Sequence, residues 1–102
     1  MAKLETKFQT KVLKLLKEIP DLWVVKVSQV SMRGTPDLLI CYRGKFVAWE
    51  LKTDSGVTSP LQEHTLNAIT KAQGIARVVT PLSFASAVQE LLDVGKDNTF
   101  LI

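Results

Sequence analysis

Residues 35–52 read TPDLLICYRGKFVAWELK, and the folding of this stretch decides the architecture around it. Two apolar runs, DLLICY and KFVAWELK, flank the dipeptide Arg43-Gly44. A short glycine-containing break between two such runs is a hairpin signal. Partners in an antiparallel hairpin have residue numbers with a constant sum. With Arg43-Gly44 as the turn, Tyr42 pairs with Lys45, and every other pair also adds to 87. Asp37 then stands across from Glu50 on the same face, with Cβ atoms about 4.5–5.5 Å apart. Lys52 lies two residues beyond Glu50, so it points to that face as well.

Two carboxylates and an ammonium therefore converge at one end of an otherwise apolar hairpin. Carboxylates held that close need a proton, a cation or a metal beside them. The residues alone leave two readings open. One is a structural salt-bridge cluster at a sheet edge. The other is a site for a hard divalent cation, because carboxylate oxygens with room for water suit Mg²⁺ or Mn²⁺. The chain has one histidine and one cysteine, which excludes a His/Cys zinc cluster. That histidine, His64, falls in an amphipathic helix and is expected to face solvent or pack there.

Outward from the hairpin, Leu4, Phe8, Val12, Leu15 and Ile19 recur at helical spacing, so residues 3–18 read as a helix that ends at IPD. LWVVKVS (22–28) reads as a strand, and QVSMRGT as a loop leading into the hairpin. TDSGVT is a polar loop. SPLQEHTLNAITKAQG (59–74) reads as a helix with Ser59 as N-cap, Pro60 in the first turn and Gly74 past its end. IARVVT is a strand, and PLSFASAVQELLDVG a last helix capped by Thr80 or Ser83. TFLI (99–102) reads as a short terminal strand. The expected fold class is α/β: one mixed sheet flanked by helices, in the order α-β-β-β-α-β-α.

A chain of 102 residues has room for one domain, spanning 1–102. Its 46% hydrophobic and 23% charged residues are those of an ordinary globular protein. A net charge of +3 permits a polyanionic partner without demonstrating one. Cys41 lies in an apolar run and is expected to be a buried core thiol, in keeping with a reducing, cytoplasmic setting. No apolar run approaches the roughly 18 residues of a membrane span. The N-terminal MAKLETKFQTK lacks the apolar core of a signal peptide. There is no internal repeat, low-complexity tract or linker.

Pro36-Asp37, a dozen residues, then Glu50-Leu51-Lys52 resembles the signature of the PD-(D/E)xK nucleases. The neighbourhood is more specific. RGTPDLLI, then VAWELK, SPLQ and a helix ending KAQG resemble the virus-type replication-repair nuclease (VRR-NUC) family, over residues 33–79. The resemblance implies a restriction-endonuclease-like core and a metal-dependent phosphodiesterase acting on DNA. Asp37 and Glu50 would be the metal-binding acids and the main-chain carbonyl of Leu51 a further ligand, with Mg²⁺ or Mn²⁺ as cofactor. Lys52 would orient or activate the attacking water and offset charge on the phosphate, the place for a fixed positive group.

Two further residues enter with the resemblance. Gln62 matches a glutamine of the family's SPxQ segment, near the active site; it also completes a capping box with Ser59, and one residue can do both. Glu5 sits at the edge of the first helix's apolar stripe, where related nucleases, including archaeal junction resolvases, place a glutamate beside the metal. An acid near a helix start is favourable in any case. For contact with the DNA backbone, Arg33, Gly34 and Lys26 are the best placed. Lys3, Lys7, Lys11, Lys14 and Lys17 form a basic stripe on the first helix, either a solvated face or a phosphate track.

Stand-alone members of the family resemble Holliday junction resolvases and act as homodimers. The expectation is thus a structure-specific endonuclease working as a two-fold dimer on branched DNA, a four-way junction in particular, in the cytoplasm of a bacterial or phage-infected cell. The alternatives are a nickase or flap-processing nuclease, a nuclease-fold DNA-binding module without catalysis, and an interaction protein with a surface salt-bridge cluster.

Overall fold

The computed structural model describes residues 2–28, 32–53 and 57–96. The hairpin forms in the expected register. Arg43 and Gly44 both adopt positive φ (50° and 86°), the turn whose twist matches that of its strands. β2 (Leu38–Tyr42) and β3 (Lys45–Leu51) pair antiparallel from Leu38 opposite Trp49 to Tyr42 opposite Lys45, every pair adding to 87. β1 (Leu22–Lys26) pairs antiparallel with β2, and β4 (Ile75–Val79) runs parallel to β3, giving the sheet order β1-β2-β3-β4. The element order is the expected one: α1 (Ala2–Lys17), β1, β2, β3, α2 (Pro60–Lys71), β4, α3 (Phe84–Val94). The terminal TFLI strand lies outside the described residues.

One face of the sheet carries the main core. Leu38, Ile40 and Tyr42 of β2 and Val47, Trp49 and Leu51 of β3 meet Phe8, Val12 and Leu16 of α1 and Phe84, Ala87 and Leu91 of α3. Phe84 is the hinge of this packing, set edge-on against both Phe8 and Trp49. The stripe of α1 thus centres on Phe8, Val12 and Leu16. Leu4, expected on it, is exposed, because it projects past the sheet's edge of the core.

The other face is only half covered. Ala48 and Ala76 are small and buried, which lets α2 lie close over β3 and β4. The loop before β2 also packs on α2. Gly34 has φ 85°, and a Cβ there would stand 2.6 Å from the Leu61 carbonyl oxygen. Gly34 therefore has a packing reason to be glycine, alongside any contact with DNA. Over β1 and β2 no helix lies on this face, and Cys41 is exposed there. This corrects the expectation of a buried thiol: alternation in a strand assigns Cys41 a face, and coverage of that face depends on a helix distant in sequence.

Candidate active site

β3 is buried along Val47–Leu51 because helices cover both its faces. Glu50, on the α2 side, is left only 4% exposed. A buried carboxylate needs partners, and the structure supplies two. Gln62 of α2 donates its Nε2 hydrogen to Glu50 Oε2 at 2.7 Å. Lys52 Nζ lies 3.5 Å from the same oxygen. The Glu50 carboxyl is still pushed up to about 7, first by burial and then by the charge of Asp37, with Lys52 pulling the other way.

Asp37 enters from the end of β2. Its Oδ2 accepts the Leu51 N–H at 2.8 Å. Its pKa is raised, chiefly by burial, against the pull of that hydrogen bond; Glu5 raises it further, while Lys52 and Lys26 lower it. The register explains why Asp37 reaches the backbone of β3. Continuing the sum of 87 sets Pro36 opposite Leu51. Proline has no N–H to give. The Lys52 N–H bonds Val79 O on β4 at 3.0 Å, so the Leu51 carbonyl, antiparallel to it in a planar trans peptide, is directed to the β2 side. There it meets a proline that cannot donate. The proline-aspartate pair thus takes the Leu51 N–H onto a side chain and leaves the Leu51 carbonyl without its ladder partner.

Gln62 is fixed from both ends. Its side-chain Oε1 accepts the Ser59 N–H at 2.9 Å, and its own N–H donates to Ser59 Oγ at 3.2 Å, the reciprocal capping box of α2. With Oε1 held by the cap, Nε2 is aimed at Glu50. The two roles expected of Gln62 are one arrangement.

The remaining expected residues lie around this centre. Glu5 is exposed on the first turn of α1, near enough for its charge to act on Asp37. Lys26 ends β1 beside Asp37, Arg33 is exposed in the preceding loop, and His64 faces solvent on α2. Lys7, Lys11, Lys14 and Lys17 are exposed along α1. Among the described residues no three His, Cys, Asp or Glu side chains gather as a metal-binding group. The acids at the centre are Asp37 and Glu50, and the contacts above engage Oδ2 of one and Oε2 of the other, leaving a second oxygen on each. Two carboxylate oxygens and the Leu51 carbonyl fit a hexacoordinate Mg²⁺ or Mn²⁺ that keeps several waters, rather than an all-protein cage.

The sequence did not reveal the burial of Glu50 or the part played by Ser59. A signal for the first was present. VAWEL has no polar residue on either face apart from Glu50, the pattern of a strand covered on both sides.

No family model matches the sequence, and no curated protein does. A solved structure described as a "VRR_NUC domain protein" superposes with a TM-score of 0.73 at 19% sequence identity, over 89% of each chain. The chain has the VRR-NUC fold, a nuclease-type core of the PD-(D/E)xK kind. No described helix is long and apolar enough to cross a membrane.

Proposed function

We propose that this domain is a Mg²⁺- or Mn²⁺-dependent, structure-specific DNA endonuclease, resembling the Holliday junction resolvases and working as a two-fold homodimer on branched DNA. The observation that carries the reading is the convergence of Asp37, Glu50 and Lys52 at one end of one sheet face, with both carboxyl pKa values raised. A cluster built for stability would lower them. Raised values mark carboxylates short of positive charge, which a cation at the Asp37, Glu50 and Leu51 oxygens supplies. The site resides in the cytoplasm of a bacterial or phage-infected cell on this reading.

In phosphodiester hydrolysis water adds to phosphorus, the P–O bond to one sugar breaks, and that sugar oxygen takes up a proton. The bound cation supplies Lewis acidity and a nucleophile near neutral pH. The chain's own residues do the rest. Asp37 and Glu50 hold the cation's place, and Gln62 fixes the rotamer of Glu50. Lys52, on the same face, presents a fixed positive charge where negative charge develops on the phosphate. Lys26 and Arg33, at the same end of the sheet, offer backbone phosphate contacts.

The test is cleavage of labelled duplex, nicked, flap, fork and four-way-junction DNAs with Mg²⁺, with Mn²⁺ and in EDTA. Metal-dependent paired incisions in the junction are expected. Selective nicking or flap cutting would replace the resolvase reading, and DNA binding without cleavage under any metal would overturn the enzyme.

A further inference from the structure

The strand registers arrange the half-open sheet face as a grid. Trp23, Cys41 and Phe46 lie side by side across β1, β2 and β3, and Val25, Leu39 and Ala48 form the next row. The row beyond holds Asp37 and, by the same register, Glu50. Two uncharged rows therefore run straight into the candidate active site. Trp23 is 61% exposed, Phe46 44% and Val25 38%, and Cys41 is exposed between them. Buried aromatic side chains cover about 150–250 Å² each, so this patch offers on the order of 300 Å² of apolar surface. That is large for the face of a monomer and adequate as the apolar centre of a standard interface of about 800 Å² per partner.

Beside Phe46, at the end of the row away from Trp23, opens a cleft of about 510 Å³ lined by Phe46, Ile69, Ala72, Gln73, Gly74 and Ile75. One surface thus carries a projecting indole and, two strands away, a concavity roomy enough for one, with the Gln73 side chain and turn backbone at hand for its N–H. A knob and a hole on one patch are what an isologous two-fold contact requires, since each copy presents both. The patch also suits self-association electrically: its two rows carry no charge to repel a copy, and no cation to hold nucleic acid.

We propose that this open sheet face is the contact surface for a second copy of the chain, with Trp23 of each copy seated in the Phe46–Ile69–Ala72 cleft of the other. It rests on the dimer put forward above for the identity of the partner, and it does not depend on nuclease chemistry. Because the rows continue into Asp37 and Glu50, such a dimer fixes the position of the two catalytic ends relative to each other.

The chain's two tryptophans make the test direct, because Trp49 is fully buried in the protomer and Trp23 is not. Sedimentation equilibrium of the whole chain should give twice the chain mass. Acrylamide quenching should fall, as concentration rises, to that of Trp49 alone, which the Trp23→Lys variant reports. Trp23→Lys and, from the opposite side, Ala72→Trp should each be monomeric with unchanged circular dichroism. Mixing them restores one intact knob and hole, so the mixture should associate more than either alone. A dimer that survives both variants, or a wild type that stays monomeric at every concentration, would overturn the proposal. So would quenching protection that is independent of concentration and lost on removing residues 97–102, since the chain's own end would then be the cover. Cleavage of a simple nicked duplex by the monomeric variants separates the outcomes: it persists if only the dimer surface is at fault and is absent throughout if the nuclease reading fails.

Discussion

Gln62 donates one hydrogen bond to Glu50, at 2.7 Å, while the same side chain closes the N-cap of α2. The helix start and the carboxylate are therefore a single hydrogen-bonded unit, and substitutions can separate its two effects. Gln62→Ala should lower stability by about 1 kcal/mol, as loss of a capping interaction does, and weaken cleavage as Glu50 loses its fixed rotamer. Gln62→Glu keeps the acceptor that the box requires but faces Glu50 with a third acid. It should retain more of the helix cap than alanine does, yet cleave no better. Thermal melts beside single-turnover cleavage check this; equal activity of Gln62→Ala and wild type would remove Gln62 from the site.

The Glu50 carboxyl, raised from 4.5 to about 7, makes the metal-free protein pH-sensitive. A raised folded-state value means that the folded chain binds a proton the unfolded chain releases. The resulting stability is fully present below about 4.5 and is lost as pH rises through about 7. On this group's account the loss is on the order of 3 kcal/mol. In EDTA, melting temperature should therefore fall between pH 5 and pH 8, and Mn²⁺ at pH 8 should restore it by mass action. A Glu50→Gln variant should show neither effect. The same slope in Glu50→Gln would assign it to other groups.

Asp37 carries charge and a hydrogen bond, and two substitutions divide them. Asp37→Asn keeps an oxygen for the Leu51 N–H and removes one of the two repelling charges. In EDTA it should melt at the wild-type temperature or a few degrees above, about 1 kcal/mol being worth 4–8 °C in a domain of this size. Asp37→Ala leaves the Leu51 N–H without its partner and should cost about 1–3 kcal/mol. Both should lose cleavage and most stabilisation by Mn²⁺. An Asn variant clearly less stable than wild type in EDTA would mean that the carboxylate serves as a salt-bridge partner of Lys52.

Lys52 is half-exposed at the end of β3, and its removal should spare the core. Lys52→Ala should bind junction DNA nearly as wild type does but cleave about 10²–10³-fold more slowly, the scale of losing one electrostatic group aimed at the transition state. Gel-shift and single-turnover measurements on the same substrate decide it, and wild-type turnover would exclude the role.

The sequence by itself determined the hairpin and much of the site within it. A two-residue turn with a glycine fixes register, and register fixes faces, so Asp37, Glu50 and Lys52 were bound to converge whatever packed around them. The capping box was legible for the same reason: it is closed by residues three apart. Three features belong to the tertiary structure alone. Glu50 is buried because α2, crossing from β3 to β4, lies over its face. The Gln62–Glu50 bond joins a helix start to a strand twelve residues earlier. Cys41 and Trp23 are exposed because α2 stops short of β1 and β2. Side-chain direction along a strand follows from local backbone geometry, whereas burial depends on which distant element comes to rest on each face, and only packing of the whole chain decides that.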